Sequence, residues 1–131
     1  MIFLDTDIIS YHFGADTKIK DKLFKAMQQN EKVCVTVINI YEILKGLKWR
    51  SNHQIETKIK NFLNSLSVYS IDIDVIDIAS NIYSTLRKKG KPIGDGDILI
   101  AAIVIKNNGT LITNNTKHFE NIEQLKLENW M

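Results

Sequence analysis

Short apolar runs alternate along this chain with longer segments in which apolar residues recur every three or four positions. The short runs predict strands of a parallel sheet, which are apolar on both faces when helices cover the sheet. The longer segments predict amphipathic helices, because residues three and four positions apart share one helical face. Strands are expected over residues 2–4, 33–37, 68–71 and 110–113, with a weaker fifth near 125–127.

Six helices are expected between these strands. They begin near residue 8 and then cover about 17–29, 39–49, 55–66, 74–89 and 97–106, and Gly90 and Pro92 interrupt the pattern before the last of them. Strands that alternate with helices indicate an α/β fold, with a central parallel sheet of four to five strands flanked by helices. The 131 residues suit one domain spanning 1–131.

Composition excludes several classes of protein. The chain is 44% hydrophobic and has a formal net charge of +2, which is too small to indicate nucleic-acid binding without regard to where the charges lie. The single cysteine, Cys34, excludes an intrachain disulfide and lies in an apolar run, so we expect a buried, unreactive thiol. The longest apolar run, residues 98–105, is too short to span a membrane, and we expect a cytoplasmic protein.

Polar residues with oxygen-bearing side chains follow the predicted strands. Asp5 follows the first strand, Glu42 lies one turn into the helix after the second, and Asn115 follows the fourth. Asp97 lies at the start of the helix that leads into the fourth strand. Ligands of parallel sheets bind beyond the carboxyl ends of the strands, so four distant segments could meet at one edge of the sheet.

Each of these residues also has an ordinary structural explanation. Asp5 and Asp7 could cap the first helix, and one of Asp95 and Asp97 is expected to cap the later one. Glu42 lies mid-helix, where capping does not apply, but it could face solvent. Asparagine at a position like that of Asn115 is often only a turn residue.

Convergence of the acids would require a neutralising partner. Two carboxylates about 4 Å apart repel by roughly 4 kcal/mol even at an effective dielectric constant of 20. Protons or cations must offset that repulsion, and an all-oxygen ligand set favours Mg²⁺ or Mn²⁺. Such ions commonly serve phosphate chemistry.

Four segments in order resemble the motifs of the PIN-domain family, and within it those of VapC-type toxin ribonucleases of type II toxin-antitoxin systems. MIFLDTDIIS resembles the first motif, with Asp5 at its acid, and INIYEILKG resembles the second, with Glu42. GKPIGDGDILIAA resembles the third, in which Asp97 is the metal-binding aspartate. LITNNTKHFENI, followed by LENW, resembles the last, and Asn115 stands where many relatives have a fourth aspartate.

The resemblance implies a Rossmann-like PIN domain with Mg²⁺- or Mn²⁺-dependent endoribonuclease activity on tRNA or rRNA. It also implies a homodimer that a VapB-type antitoxin neutralises, with operator DNA contacted only through the antitoxin complex. Because Asn115 carries no charge, one tightly held ion is expected rather than two.

Roles follow for the individual residues. Asp5 and Asp97 are expected to hold the metal, and Glu42 to bind it directly or through water. Asn115 is grouped with them as a catalytic residue. Four neighbours are expected to support these residues, namely Thr6, Asp7, Asp95 and Thr113.

Basic residues near these motifs could bind RNA phosphates, although solvated helix faces are an equal alternative. They are Lys45, Lys48 and Arg50 after Glu42, and Arg87, Lys88, Lys89 and Lys91 before Asp97. No chemistry is assigned to the three histidines, His12, His53 and His118.

Two other functions remain open at this point. LDTD also resembles the Asp-x-Asp nucleophile motif of haloacid-dehalogenase-type phosphatases. Alternatively, the chain is a catalytically inert binding or co-repressor subunit whose acids are vestigial.

Overall fold

Five parallel strands form one sheet at the centre of the computed structural model, which describes all 131 residues. The strands are β1 (Ile2–Leu4), β2 (Val33–Thr36), β3 (Ser67–Tyr69), β4 (Thr110–Ile112) and β5 (Lys126–Glu128). They are ordered β3-β2-β1-β4-β5, and all four pairings are parallel. The prediction of an α/β fold with a parallel sheet is confirmed.

Seven helices connect and cover the strands. They are α1 (Thr6–His12), α2 (Thr17–Gln28), α3 (Val37–Arg50), α4 (His53–Asn64), α5 (Ile73–Lys88), α6 (Asp95–Lys106) and α7 (Thr116–Phe119). The six expected helices are present, with ends that differ by a few residues. The seventh, α7, was not predicted, because a four-residue helix is too short to show an apolar period.

The side chains of the central strands alternate between the two faces of the sheet, and the core is therefore divided into two layers. Successive side chains of a strand point to opposite faces of the sheet, so neighbouring residues enter different layers. Phe3, Cys34 and Leu111 pack with α5 and α6 on one face. Leu4, Val35 and Ile112 pack with α1 to α4 on the other. The two layers hold the carboxyl ends of β1, β2 and β4 in place from both sides.

The two edge strands differ from the prediction that every strand is apolar on both faces. Val68 of β3 is 49% exposed, and Lys126 and Glu128 of β5 are also exposed. Each edge strand has a paired neighbour on one side only, and its exposed side chains lie outside the two core layers. The expectation therefore holds for the central strands and is wrong for β3 and β5.

Helix α6 packs antiparallel to α5. Lys106 at the end of α6 pairs with Asp72 and Asp74 at the beginning of α5. Residues on nearly all sides of α6 are buried, which accounts for the long apolar run from Ile98 onwards. The end of α5 consequently lies beside the beginning of α6, where Asp97 is found.

Cys34 is a free, fully buried cysteine, as predicted. Burial raises the pKa of its thiol and so disfavours the reactive thiolate. None of the helices is both long and apolar enough to cross a membrane.

Gly109 permits close contact between the turn before β4 and the aromatic ring of Phe3. A Cβ atom at residue 109 would lie 2.6 Å from Cε2 of Phe3, whose ring is fully buried and cannot move aside freely. Gly109→Ala should therefore lower the free energy of unfolding by about 1–3 kcal/mol, the usual range for overpacking a core. Urea denaturation followed by circular dichroism measures this change.

Gly46→Ala is the matched control, because nothing lies within 4 Å of its added Cβ in the middle of α3. It should raise stability by up to about 1 kcal/mol through helix propensity. Equal stability of the two variants would contradict the assignment of Gly109 as a close-packing position.

Candidate active site

Asp5 is a buried carboxylate at the carboxyl end of β1, held by three hydrogen bonds. Its Oδ1 accepts from the backbone N–H of Thr6 at 2.8 Å and from Nδ2 of Asn39 at 3.1 Å. Its Oδ2 accepts from the hydroxyl of Thr113 at 2.8 Å. The donors come from α1, α3 and the segment after β4, so three distant parts of the chain fix the orientation of one side chain. Asp5 also caps α1.

Asp7 lies beside Asp5 in the first turn of α1 and joins this helix to the segment after β4. Its Oδ2 accepts from the backbone N–H of Asn114 at 3.0 Å. The hydroxyl of Thr113 is 3.5 Å from the same oxygen, but its single proton is directed to the nearer Asp5. Oδ1 of Asp7 is buried and has no hydrogen-bond partner. Asp5, and not Asp7, is the cap of α1, and one oxygen of Asp7 is buried without a hydrogen-bond partner.

Glu42 is connected to Asp5 through two polar side chains. The hydroxyl of Thr6 donates to Oε1 of Glu42 at 2.8 Å and accepts from Nδ2 of Asn39 at 3.0 Å. Asn39 is fully buried, and its Oδ1 lies 2.6 Å from the hydroxyl of Thr36, the cap of α3. Glu42 is thus held in a fixed network and does not point freely into solvent.

The first turn of α6 carries Asp97 to the same edge. Oδ2 of Asp97 is 2.6 Å from Nε2 of His118 on α7. An ionised carboxylate has no proton to give, so the histidine N–H is the donor. Oε2 of Glu42 lies 3.7 Å from the position of a Cβ at Gly96, which places Glu42 next to this turn of α6.

The electrostatics of the cluster indicate an excess of negative charge. Burial raises the pKa of Asp5, and the negative charge of Asp97 raises it further, while hydrogen bonds from Thr113, Thr6 and Asn39 act in the opposite direction. Burial likewise raises the pKa of Asp7, with the charge of Asp5 as the second cause. The site is therefore built to orient carboxylates whose mutual repulsion is not offset by a nearby lysine or arginine.

A hard cation fits this set of donors. No group of three or more histidine, cysteine, aspartate or glutamate side chains is arranged to hold a metal ion. Asp5 and Asp97 are nevertheless coupled through their charges, and Asp7 has a buried oxygen without a partner. Mg²⁺ usually binds through one or two carboxylates and keeps several of its water molecules.

Asp95 and Asp97 do not cap α6, contrary to the expectation that one of them would. The residue at the cap is Gly94, and no side chain bonds to the first backbone N–H groups. Both aspartates lie inside the first turn, where a negative charge still interacts favourably with the helix dipole. Asp95 is exposed and borders α5, whereas Asp97 is partly buried and faces His118.

Asn115 reaches the site through its backbone and not through its side chain. Its N–H donates to the hydroxyl of Thr113 at 3.0 Å, which orients that hydroxyl toward Asp5. The side chain is exposed and makes no capping hydrogen bond at the start of α7. Thr113 itself is fully buried and makes the direct contact with Asp5.

The basic residues that were considered for RNA binding differ in their surroundings. Lys45 lies over the ring of Tyr41, with 5.1 Å between Nζ and the ring centroid. Lys48 pairs with Glu56 at 3.5 Å, and Lys89 with Glu123 at 3.3 Å. Arg87, Lys88 and Lys89 lie at the end of α5, which packs beside the beginning of α6.

Sequence reasoning missed two residues of the site. Asn39 lies three residues before Glu42, so helical spacing could have placed both on one face of α3. His118 lies on the helix that was not predicted, and no spacing relates it to Asp97, from which it is 21 residues distant.

Comparison with known proteins identifies the family. A family model described as PIN domain matches residues 2–125. Ribonuclease VapC2 of Rickettsia felis is 30% identical over 128 residues, which cover 97% of this chain and 96% of that protein. The chain is a PIN-domain protein of the VapC type. Asp5, Glu42 and Asp97 all lie within the matched range.

Solved structures agree with this assignment. The crystal structure of VapBC2 from Rickettsia felis bound to a DNA fragment from their promoter contains a chain with a TM-score of 0.91 and 30% identity, and both chains are covered completely.

A more distant relative is the tRNA(fMet)-specific endonuclease VapC of Shigella flexneri. It is 26% identical over 100 residues, or 76% of each chain.

Asp5→Asn should stabilise this PIN domain at neutral pH in the absence of metal. The substitution removes a buried charge but keeps a side-chain oxygen that can cap α1. Because the pKa of Asp5 is raised in the folded state, its ionisation lowers stability as the pH rises from 3.8 through the folded pKa. The gain should be on the order of 1 kcal/mol at neutral pH and should fade as the pH falls towards 3.8. Urea denaturation in EDTA across pH measures it.

Asp95→Asn provides the control, since Asp95 is exposed at the same helix start as Asp97. It should lower stability by about 0.3–1 kcal/mol, because it removes a favourable negative charge from the first turn of α6, so its effect has the opposite sign. If Asp5→Asn destabilised the metal-free protein at neutral pH, the proposed excess of negative charge would be wrong.

Proposed function

We propose that this protein is a Mg²⁺- or Mn²⁺-dependent endoribonuclease that acts in the cytoplasm as the toxin of a VapBC-type toxin-antitoxin module. The ribonuclease names of its relatives support the reaction class. The arrangement around Asp5 supports the dependence on a metal.

One observation carries the proposal, namely that the protein orients a buried carboxylate without neutralising it. Three donors favour the ionised form of Asp5, while burial and the charge of Asp97 oppose it. A site that required a protonated acid would not place three hydrogen-bond donors on its oxygens. Asp5 and Asp97 would hold a cation, whose positive charge would offset this repulsion.

Each residue of the cluster has a separate task in the proposed reaction. Asp5 and Asp97 would hold the ion, and Thr113 and Asn39 keep the carboxylate of Asp5 in one orientation. When bound, Mg²⁺ or Mn²⁺ would supply positive charge at the scissile phosphate, which would make attack by water easier at neutral pH. Glu42, fixed by Thr6, orients the attacking water and accepts its proton.

Water then attacks the phosphorus in line with the leaving oxygen. The new bond joins the water oxygen to phosphorus, and the bond between phosphorus and the 3′-oxygen breaks. The leaving oxygen takes up a proton from solvent, so the products carry 3′-hydroxyl and 5′-phosphate ends.

Positive side chains near the cluster would bind the RNA backbone. Lys45 lies one turn beyond Glu42 on α3, and Lys88 is exposed at the end of α5. Lys48 and Lys89 already have carboxylate partners, so they contribute less. Phosphate contacts of this kind position the substrate but do not select its sequence.

A structured RNA, either tRNA or rRNA, is the proposed substrate, and the name of the Shigella flexneri relative makes tRNA the first to test. A VapB-type antitoxin is the proposed partner, because the similar structures include VapBC complexes. We further propose a homodimer that meets operator DNA only through the antitoxin. Sequencing of RNA 5′ ends after brief expression would identify the substrate.

Asp5→Asn and Asp97→Asn should each slow RNA cleavage by at least about a hundredfold, because loss of one group that stabilises transition-state charge commonly has an effect of 10²–10³. EDTA should abolish cleavage by the unsubstituted protein, and added Mg²⁺ or Mn²⁺ should restore it. Cleavage of tRNA and rRNA is followed on gels, with mapping of the end groups.

The control is Asp95→Asn, which should cleave at nearly the normal rate because its carboxylate is exposed and apart from the network. Undiminished cleavage by Asp5→Asn or Asp97→Asn would disprove the site. Binding of a VapB-type partner without hydrolysis of any RNA would favour the inert binding subunit instead.

A further inference from the structure

His118 makes the one hydrogen bond that the side chain of Asp97 accepts. Its Nε2 lies 2.6 Å from Oδ2, a short distance typical of charge-assisted hydrogen bonds. Both side chains are only partly exposed, at 37% for His118 and 30% for Asp97. The contact links α7 to the first turn of α6, 21 residues earlier in the chain.

Fewer hydrogen bonds hold the carboxylate of Asp97 than hold that of Asp5. Three protein donors hold Asp5, whereas Asp97 projects from the first turn of a helix that no side chain caps. Without a hydrogen bond, the carboxylate of Asp97 could rotate about its bond to Cβ. The hydrogen bond that Oδ2 accepts from His118 prevents this rotation. With Oδ2 held by His118, Oδ1 is the oxygen left available for a cation.

The position of His118 is itself fixed by the fold. Phe119, the next residue, is buried in the core and its ring meets the imidazole edge-on, with 5.7 Å between ring centroids. The backbone N–H of His118 donates to the carbonyl of Asn115 at 3.1 Å. Asn115 in turn donates to Thr113, which holds Asp5. One segment, residues 113–118, therefore supports both carboxylates.

We infer that His118 is a positioning residue that orients Asp97 for metal binding, an inference that rests on the proposed function of the site. Hydrogen bonds to ligand side chains commonly change metal affinity by about 10- to 100-fold when they are removed. The segment from Thr113 to His118 then sets the geometry of both metal-binding aspartates at once.

Mn²⁺ binding to the purified 131-residue chain tests this inference directly. His118→Ala should weaken Mn²⁺ binding by about tenfold or more in isothermal titration calorimetry. His118→Gln, whose amide N–H can still donate, should recover part of the affinity. Lys117→Ala is the matched control, because Lys117 is an exposed basic residue on the same helical turn.

RNA cleavage adds a second measurement. His118→Ala should raise the Mg²⁺ concentration for half-maximal cleavage by a similar factor and approach the normal rate when Mg²⁺ is saturating. Circular dichroism shows whether His118→Ala folds. If it does not, His118→Leu is compared with His118→Gln instead. Leucine fills the space of the imidazole but donates no hydrogen bond, whereas glutamine still donates one.

Two results would overturn the inference. One is unchanged Mn²⁺ affinity in the variant that lacks a donor. The other is loss of cleavage at every Mg²⁺ concentration with unchanged Mn²⁺ affinity, which would place His118 against the RNA.

A different result would disprove the ribonuclease proposal without deciding the role of His118. If the unsubstituted chain binds Mn²⁺ but cleaves no RNA, that proposal is wrong, and the binding comparison still decides the role of His118. If it binds no Mn²⁺, both are wrong.

Discussion

The orientation of an ionised Asp5 in a buried position is the constraint on which the site depends. Burial opposes the charge, and three hydrogen bonds from separate segments favour it. A fold can maintain such a conflict only if the surrounding structure is rigid. Two apolar layers on opposite faces of the sheet supply that rigidity, since they fix the end of β1 from both sides.

Parallel topology explains why distant residues meet at this point. The carboxyl ends of β1, β2 and β4 lie side by side, and each delivers a polar group where its strand stops: Asp5, Thr36 and Thr113. Helices that begin at this edge add Asn39, Glu42 and Asp97. The first turns of helices favour negative charge, which lowers the electrostatic cost of gathering carboxylates there.

Function and stability are opposed in this arrangement. The carboxylates that would bind a cation repel one another in its absence, so the metal-free protein retains a local instability at the edge of its sheet. Ligand binding to the folded state alone offsets such an instability by mass action. The apolar core around α6 and the central strands stabilises the fold enough to offset the repulsion between these carboxylates.

Local patterns in the sequence were sufficient to predict the sheet, six helices, the buried Cys34 and the acids at the strand ends. Each of these depends on residues close together in the chain, such as alternating apolar positions or a carboxylate directly after a strand. Only the tertiary structure showed that Asn39 joins Asp5 to Thr6, that Asn115 acts through its backbone, and that His118 contacts Asp97. Those contacts cross between segments that no sequence period relates, so they are decided by how the strands and helices pack.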